Sequence, residues 1–329
     1  MTVAGGLAMV GSAAGLAFVL VGAIRRYALR HAMLDHPGFR SSHAQPTPRG
    51  GGLGLVAVVL FALVAASGRE IDPSLVLALL GVALTALVGW LDDRRSLGVR
   101  ARIIAHIVAG LSLLPLVLST PSGPMWLAAV TALWWVFWSV SAINVVNFMD
   151  GIDGLIGSQA LIFGAYLAFL TSSGGVVEAF GLALAGAAAG FLGWNWAPAR
   201  IFLGDVGSGA LGLLFVLGGI LVLQEGRVTL VVAFLPLYGI FLDGTVTIFR
   251  RFRRGERITE AHRSHLYQRL ANGGWGHARV SLLYGAVALA AFPVATLPPS
   301  PRIFVLVGYC LAVLGLGLTL DHRASRPQP

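Results

Sequence analysis

Eleven apolar runs of membrane-spanning length occupy most of this chain, at 4–24, 51–67, 73–90, 101–119, 126–148, 157–172, 178–194, 207–223, 228–248, 279–297 and 302–320. Crossing the hydrocarbon core takes about 20 residues of helix. In lipid, a helix satisfies its own backbone hydrogen bonds. The expected fold is all-α: a polytopic membrane protein with about 11 transmembrane helices, forming a single integral membrane domain over 1–329. The runs at 51–67 and 157–172 are short and carry glycine, so their ends are the least defined. The first run lacks a small-residue cleavage pattern and reads as a retained span. Charged residues make up 11% of the chain, against about 25% in a soluble domain. The sole cysteine, Cys310, lies in an apolar run, which excludes an intrachain disulfide and a thiolate metal cage.

All 23 basic residues are arginine. Without lysine, Schiff-base chemistry is excluded. Only Arg69, Arg227 and Arg302 fall on one side of the expected spans. By the excess of positive charge, the loops 25–50, 91–100, 149–156, 195–206 and 249–279 and the carboxyl terminus are cytoplasmic, and the amino terminus is outside. The formal charge of +9 suits anionic lipid headgroups. No soluble basic domain exists to bind nucleic acid.

The same loops collect the chemistry-bearing groups: Asp92, Asp93, Asp150, Asp153, Asp205, His262 and His265. The first loop carries Pro46-Thr47-Pro48-Arg49-Gly50-Gly51-Gly52. Its prolines stiffen the backbone and its glycines allow close approach to a ligand, with Arg49 a candidate phosphate contact. Asp92 and Asp93 end a span, and adjacent carboxylates repel unless a cation sits with them. Magnesium fits an all-oxygen site that shares substrate phosphates. Asn144 and Asn147 share a helix face, and Asp150 and Asp153 follow through a glycine-broken turn. Before the next span, Asn195, Arg200, Phe202 and Asp205 lie in a glycine-bounded segment. There Arg200 can meet a phosphate and Phe202 can stack on a base. His262, Arg263 and His265 follow an arginine run, and the two histidines share a face if that segment is helical. Two groups sit inside spans. Asp243, seven residues before Arg250 and so about 10 Å deep, is a functional candidate. His106 reads as a packing histidine.

In this order and on one face, these motifs resemble the polyprenyl-phosphate N-acetylhexosamine-1-phosphate transferases, glycosyltransferase family 4. That superfamily contains phospho-N-acetylmuramoyl-pentapeptide transferase and the UDP-N-acetylglucosamine:undecaprenyl-phosphate transferases. The matching pieces are PTPRGGG at 46–52, the Asp92-Asp93 pair, NVVNFMDGIDGL at 144–155, IFLGDVGSG at 201–209 and the histidine segment 262–269. The wording of RSSH…PTPRGGG and HRSHLYQRL is similar to the branch that starts O-antigen or related surface glycans from UDP-N-acetylglucosamine or UDP-N-acetylfucosamine.

The resemblance implies a bacterial inner-membrane enzyme that moves a sugar 1-phosphate from a UDP-N-acetylhexosamine to undecaprenyl phosphate, releasing UMP. Magnesium, or manganese in its place, is the implied cofactor, held by Asp205 with Asp92 and Asp93. Asp92 is implied as base or nucleophile. Asp153, Asn195 and Phe202 would hold the uridine, Asn147 and Asp150 would shape the pocket, and His262 and His265 would contact the donor phosphates. Arg49, Asn144, Arg200 and Arg263 complete the candidate substrate contacts. Two departures stand out. The family often has a lysine after the acidic pair, where this chain offers Arg100 or Arg102. The muramoyl-pentapeptide branch has three consecutive histidines, where this chain reads His-Arg-Ser-His. The alternatives are that branch or, in another class, a multi-span lipid or sugar transporter. A transporter would place its ionisable groups near the bilayer midplane. Membrane lipids are expected partners, and a homodimer is open to the chain.

Overall fold

The computed structural model describes residues 2–37, 45–68, 71–119, 124–171, 175–226, 228–257 and 262–324. Part of the first loop, including Arg40, and Arg69 and Arg227 lie outside the described residues. Eleven apolar helices follow the eleven runs: α1 Val3–Arg30, α2 Gly52–Ala66, α3 Pro73–Arg95, α4 Val99–Val117, α5 Met125–Met149, α6 Leu155–Thr171, α7 Val176–Asn195, α8 Asp205–Gln224, α9 Leu230–Arg253, α10 Leu266–Thr296 and α11 Pro299–Ala324. Among the described residues, nine are long and apolar enough to cross a membrane, while α2 and α6 are apolar but shorter, at 15 and 17 residues. The protein is a multi-pass membrane protein of the all-α class. A two-residue antiparallel pair, β1 Leu34–Asp35 with β2 Thr47–Pro48, is set into the first loop.

Helix α8 lies at the centre, packed by α2, α3, α5, α6 and α7. Its sequence, DVGSGALGLLFVLGGILVLQ, is apolar or small on every side, the pattern of a helix with no solvent face. At the rim, α11 is almost wholly uncovered by protein.

Three boundaries differ from the sequence expectation, and each matters for the site. Helix α3 runs on to Arg95, so Asp92 and Asp93 occupy its last turn rather than a loop. Arg94 and Arg95 in that turn complement the negative end of the helix dipole. Helix α8 starts at Asp205 itself. Helix α10 starts at Leu266, thirteen residues before the apolar run expected at 279. Its first turn is capped from inside the membrane: Asp243 accepts hydrogen bonds from Leu266 N (2.8 Å), Tyr267 N (3.1 Å) and the Tyr284 hydroxyl (2.7 Å). The intramembrane carboxylate marked by the sequence is therefore a helix cap. A kink at Gly273 and Gly274 breaks the apolar pattern between the two parts of α10.

Candidate active site

Three connections, the first loop, the turn after α5 and the 196–204 segment, are tied together by hydrogen bonds at one end of the bundle. Phe202 N donates to Pro48 O (2.8 Å), Gly51 N to Phe202 O (2.9 Å) and Gly52 N to Leu203 O (2.9 Å). A Cβ on Gly52 would lie 2.2 Å from the Gly207 Cα. The glycine run of the first loop thus lets the backbone pack against the 202–207 segment at the start of α8. Between α5 and α6, the turn is tied to the 196–204 segment. Asn195 accepts from Gly154 N and donates to Ile201 O, both at 3.0 Å, and Asp153 Oδ2 accepts from Ala199 N at 3.0 Å.

The carboxylates gather where α3, α5 and α8 meet. Asp93 is buried and caps α8, taking Asp205 N on Oδ1 and Val206 N on Oδ2, each at 3.2 Å. Arg49 hydrogen-bonds the Asp93 carbonyl, and its Nη1 lies 3.8 Å from Oδ1. Asp92 turns the other way: Oδ2 accepts from Arg102 Nη1 at 3.0 Å and Oδ1 from Leu97 N. Asp205 accepts from Asn147 Nδ2 at 2.9 Å, and the same amide reaches Ser208 Oγ at 3.0 Å. Asp92 and Asp205 line a common cavity between the spans. In the turn after α5, enclosure and then the charges of Asp205, Asp93 and Asp153 push the Asp150 carboxyl well above the usual carboxylate range.

Two cavities open beside this cluster, and Asp205 lines both. One, of about 320 Å³, is polar and loop-built, with Asp35, Arg49, Asp93, Asp150, Asp153 and Phe202 among its walls. The other, of about 240 Å³, runs between spans. Its walls include Val88, Ile103, Ile143 and Ile248, with Asp92 and Arg102 at its polar edge. Neighbours in sequence, Asp92 and Asp93 face different cavities.

Of the residues marked by sequence, Asp92, Asp93, Asp150, Asp153, Asp205, Arg49, Asn144, Asn147, Asn195 and Phe202 line these two spaces. Four do not. Arg200 is exposed and stacks on Trp194, its Cζ 5.4 Å from the ring centre. Arg263, His262 and His265 line neither cavity. The segment 262–265 is not helical, as the shared-face reading required; the two histidine rings meet at 4.9 Å through a turn. His265 is buried against Asp243, Nδ1 to Oδ1 3.7 Å. Burial, then the charges of His265 and Arg251, hold His262 down at about 4. It is neutral at pH 7, so it offers a hydrogen bond and no charge.

His277 was missed by sequence. It lines the polar cavity, with Nδ1 3.2 Å from Asp153 Oδ2. Its signal was the Gly276-His277 step at a helix restart, hidden in a stretch read as loop. Arg102, not Arg100, is the arginine that meets Asp92.

The donor set suits a magnesium ion. Two carboxylates on the wall of one cavity, as Asp92 and Asp205 are, repel unless a proton or cation sits with them. Among the described residues no three Asp, Glu, His or Cys side chains close into a ready-made metal cage. Magnesium does not need one, since it is bound by one or two carboxylates plus substrate phosphates. Asp205 and Asp92 are the residues that would hold it.

Eleven apolar helices and a polar cavity sharing one acidic wall with an apolar one are the build of a multi-pass membrane transferase with a soluble and a lipid-borne substrate. The profile of Glycosyl transferase family 4 matches residues 75–223. A Bacillus subtilis protein named "Probable undecaprenyl-phosphate N-acetylglucosaminyl 1-phosphate transferase" is 30% identical, covering 79% of this chain and 75% of the relative. A Mycolicibacterium smegmatis decaprenyl-phosphate N-acetylglucosaminephosphotransferase is 30% identical over 95% of this chain and 86% of the relative. A Synechococcus phospho-N-acetylmuramoyl-pentapeptide-transferase is 30% identical over 86% of this chain and 88% of the relative. The chain belongs to glycosyl transferase family 4.

Proposed function

We propose that this protein transfers N-acetylglucosamine 1-phosphate from UDP-N-acetylglucosamine to undecaprenyl phosphate, releasing UMP and starting a surface glycan of the O-antigen kind. Family membership makes it a sugar-1-phosphate transferase onto polyprenyl phosphate. The donor sugar, the pathway and a site on the cytoplasmic face of the bacterial inner membrane are our reading. We take 1–329 as one catalytic domain. The reading rests on the divergence of Asp92 and Asp93 into an apolar and a polar cavity that share Asp205.

The polar cavity takes the UDP-sugar. Phe202 offers a ring to the uracil, Asp153 and Asn195 line the same wall, and Arg49 lies by the diphosphate. The interspan cavity takes the lipid phosphate, with the prenyl chain along its apolar wall and Arg102 on the headgroup. The acceptor phosphate has a second pKa of about 6, so it is largely dianionic at pH 7. One of its oxygens attacks the β-phosphorus of the donor. The bond from that phosphorus to the bridging oxygen breaks, and UMP leaves with the electron pair. No proton need be removed from the nucleophile, which favours direct attack over an aspartyl-phosphate intermediate. Asp92 orients Arg102 against the acceptor. Magnesium, on which the family typically depends, offsets charge on the leaving phosphate when bound.

Asp92→Asn is expected to lower turnover on the order of 10²-fold, the cost of an ångström-scale misplacement. Titration calorimetry should give unchanged UDP-N-acetylglucosamine affinity; undiminished turnover would remove the assigned role. His277→Ala removes the acceptor of the Asp153 backbone N–H (3.3 Å) and the ring beside the Asp153 carboxylate in the donor cavity. One lost backbone hydrogen bond, about 0.5–1.5 kcal/mol, predicts a donor KM raised about threefold to tenfold with kcat within about twofold. An unchanged donor KM would separate His277 from the donor.

The overall test is purified protein with magnesium, undecaprenyl phosphate and a panel of UDP-N-acetylglucosamine, UDP-N-acetylfucosamine and UDP-N-acetylmuramoyl-pentapeptide, scored by UMP release and lipid-linked product. The Synechococcus relative keeps the muramoyl-pentapeptide donor as a second reading. The His262-Arg263-Ser264-His265 pattern, lacking three consecutive histidines, counts against it. Product from the pentapeptide donor would overturn our choice, and substrate crossing vesicles without UMP would support a transporter.

A further inference from the structure

We infer that His106 is an acceptor-recognition residue, donating a hydrogen bond from Nε2 to the phosphate of the polyprenyl acceptor on its chain side. The inference rests on the reading of the interspan cavity as the acceptor site. His106 is half-buried and lines that cavity one turn beyond Arg102 on α4. Residues four apart share a helix face, so both side chains look into the same space. The spacing of four residues puts His106 about 6 Å deeper in the membrane than Arg102.

The ring's tautomer is set by its neighbour. Asn144 Nδ2 donates to Val140 O at 2.7 Å, which fixes the amide with its NH₂ towards the ring. That NH₂ lies 3.4 Å from His106 Nδ1. A neutral imidazole facing an amide donor through Nδ1 carries its proton on Nε2. The other neutral donors in this cavity are already committed. The Thr85 hydroxyl donates to Gly81 O at 2.9 Å, and the Asn147 amide to Asp205 and Ser208. Among the described side chains lining the cavity, Arg102 and His106 are the groups with N–H capacity left for an incoming anion.

An acceptor phosphate in this cavity binds beside Asp92 and Asp205, whose oxygens accept and do not donate to it. Donors at two depths hold it there: Arg102 on the non-bridging oxygens at the membrane edge, His106 on an oxygen nearer the prenyl chain. A packing histidine, by contrast, would be replaceable by any side chain of similar volume.

The test compares His106→Leu and His106→Met, which keep bulk and lose the donor, with His106→Gln, which restores an N–H. Each variant is purified as the full chain, and its melting curve is recorded with the steady-state constants for undecaprenyl phosphate and UDP-N-acetylglucosamine. The expected result is an acceptor KM raised about tenfold or more in the Leu and Met variants, from the loss of a hydrogen bond to a charged group. The Gln variant should return to within about threefold of wild type, and the donor KM should hold throughout. Should the Leu variant fail to fold, the Met and Gln pair carries the comparison. An acceptor KM unchanged in the Leu and Met variants, a Gln variant as impaired as they are, or donor and acceptor constants shifted alike would each overturn the role. In those cases the wild-type enzyme still releases UMP. A wild-type protein that releases none with any UDP-sugar overturns the acceptor-site reading itself, and this inference with it.

Discussion

Asp205→Asn is expected to lower kcat at saturating magnesium by on the order of 10²–10³-fold while leaving the fold in place. Asp205 is the wall common to both cavities, so its charge acts where the two phosphates must meet. The substitution separates charge from architecture. Asn147 donates to Asp205 Oδ1, and an asparagine carbonyl accepts that bond equally well. The cap on α8 is made by Asp93 to the backbone amides of residues 205 and 206, which the change does not touch. What disappears is the negative charge opposite Asp92. Ligand binding to the native state stabilises it by RT ln(1 + [L]/Kd), about 2.7 kcal/mol at a hundred times Kd. Magnesium should therefore raise the melting temperature of the wild-type protein by several degrees and that of Asp205→Asn by almost nothing. Identical magnesium titrations of the two proteins would refute the assignment of Asp205 to the ion.

The spans were legible because lipid leaves a chain few choices, and hydropathy reports that constraint directly. The acidic site was legible for a related reason. Alternate connections between successive spans share a face, and the carboxylates were read in alternate connections. What sequence concealed was direction. Asp92 and Asp93, read as a loop pair, were expected to serve one ion together. In the last turn of α3 they are adjacent on a helix, where neighbours diverge by about 100°. One caps α8 and faces the polar cavity, the other meets Arg102 across the apolar one. The histidines lie where their spacing did not foretell. His262 and His265 carried the visible motif, yet the fold aims His265 at the capping Asp243, while His277 and His106 line the cavities. Neither position has a sequence signal stronger than a polar residue near a helix start.

Gly89→Ala should lower kcat about a hundredfold with little loss of stability, and this dissociation is the point of the experiment. A Cβ at Gly89 would lie 2.3 Å from Asp205 O and 2.5 Å from Val206 N. Both are backbone atoms, so no side chain can swing aside, and α3 must move from α8 on the ångström scale. Overpacking of this kind costs about 1–3 kcal/mol, while exchanging a mid-helix glycine for alanine returns up to about 1 kcal/mol. The net change in stability is small beside the many helix contacts that remain. Geometry is less forgiving. Asp92 and Asp93 sit three and four residues further along α3, and Val206 N is the amide that Asp93 Oδ2 accepts from. Moving the two helices apart shifts both aspartates relative to Asp205, and an ångström of misplacement is enough for about a hundredfold in rate. Gly98→Ala is the matched control: it lies between α3 and α4 with open space around its would-be Cβ, and it should keep activity within about twofold. Wild-type turnover in Gly89→Ala would mean that the close approach of α3 to α8 does not set the distance between the two substrates.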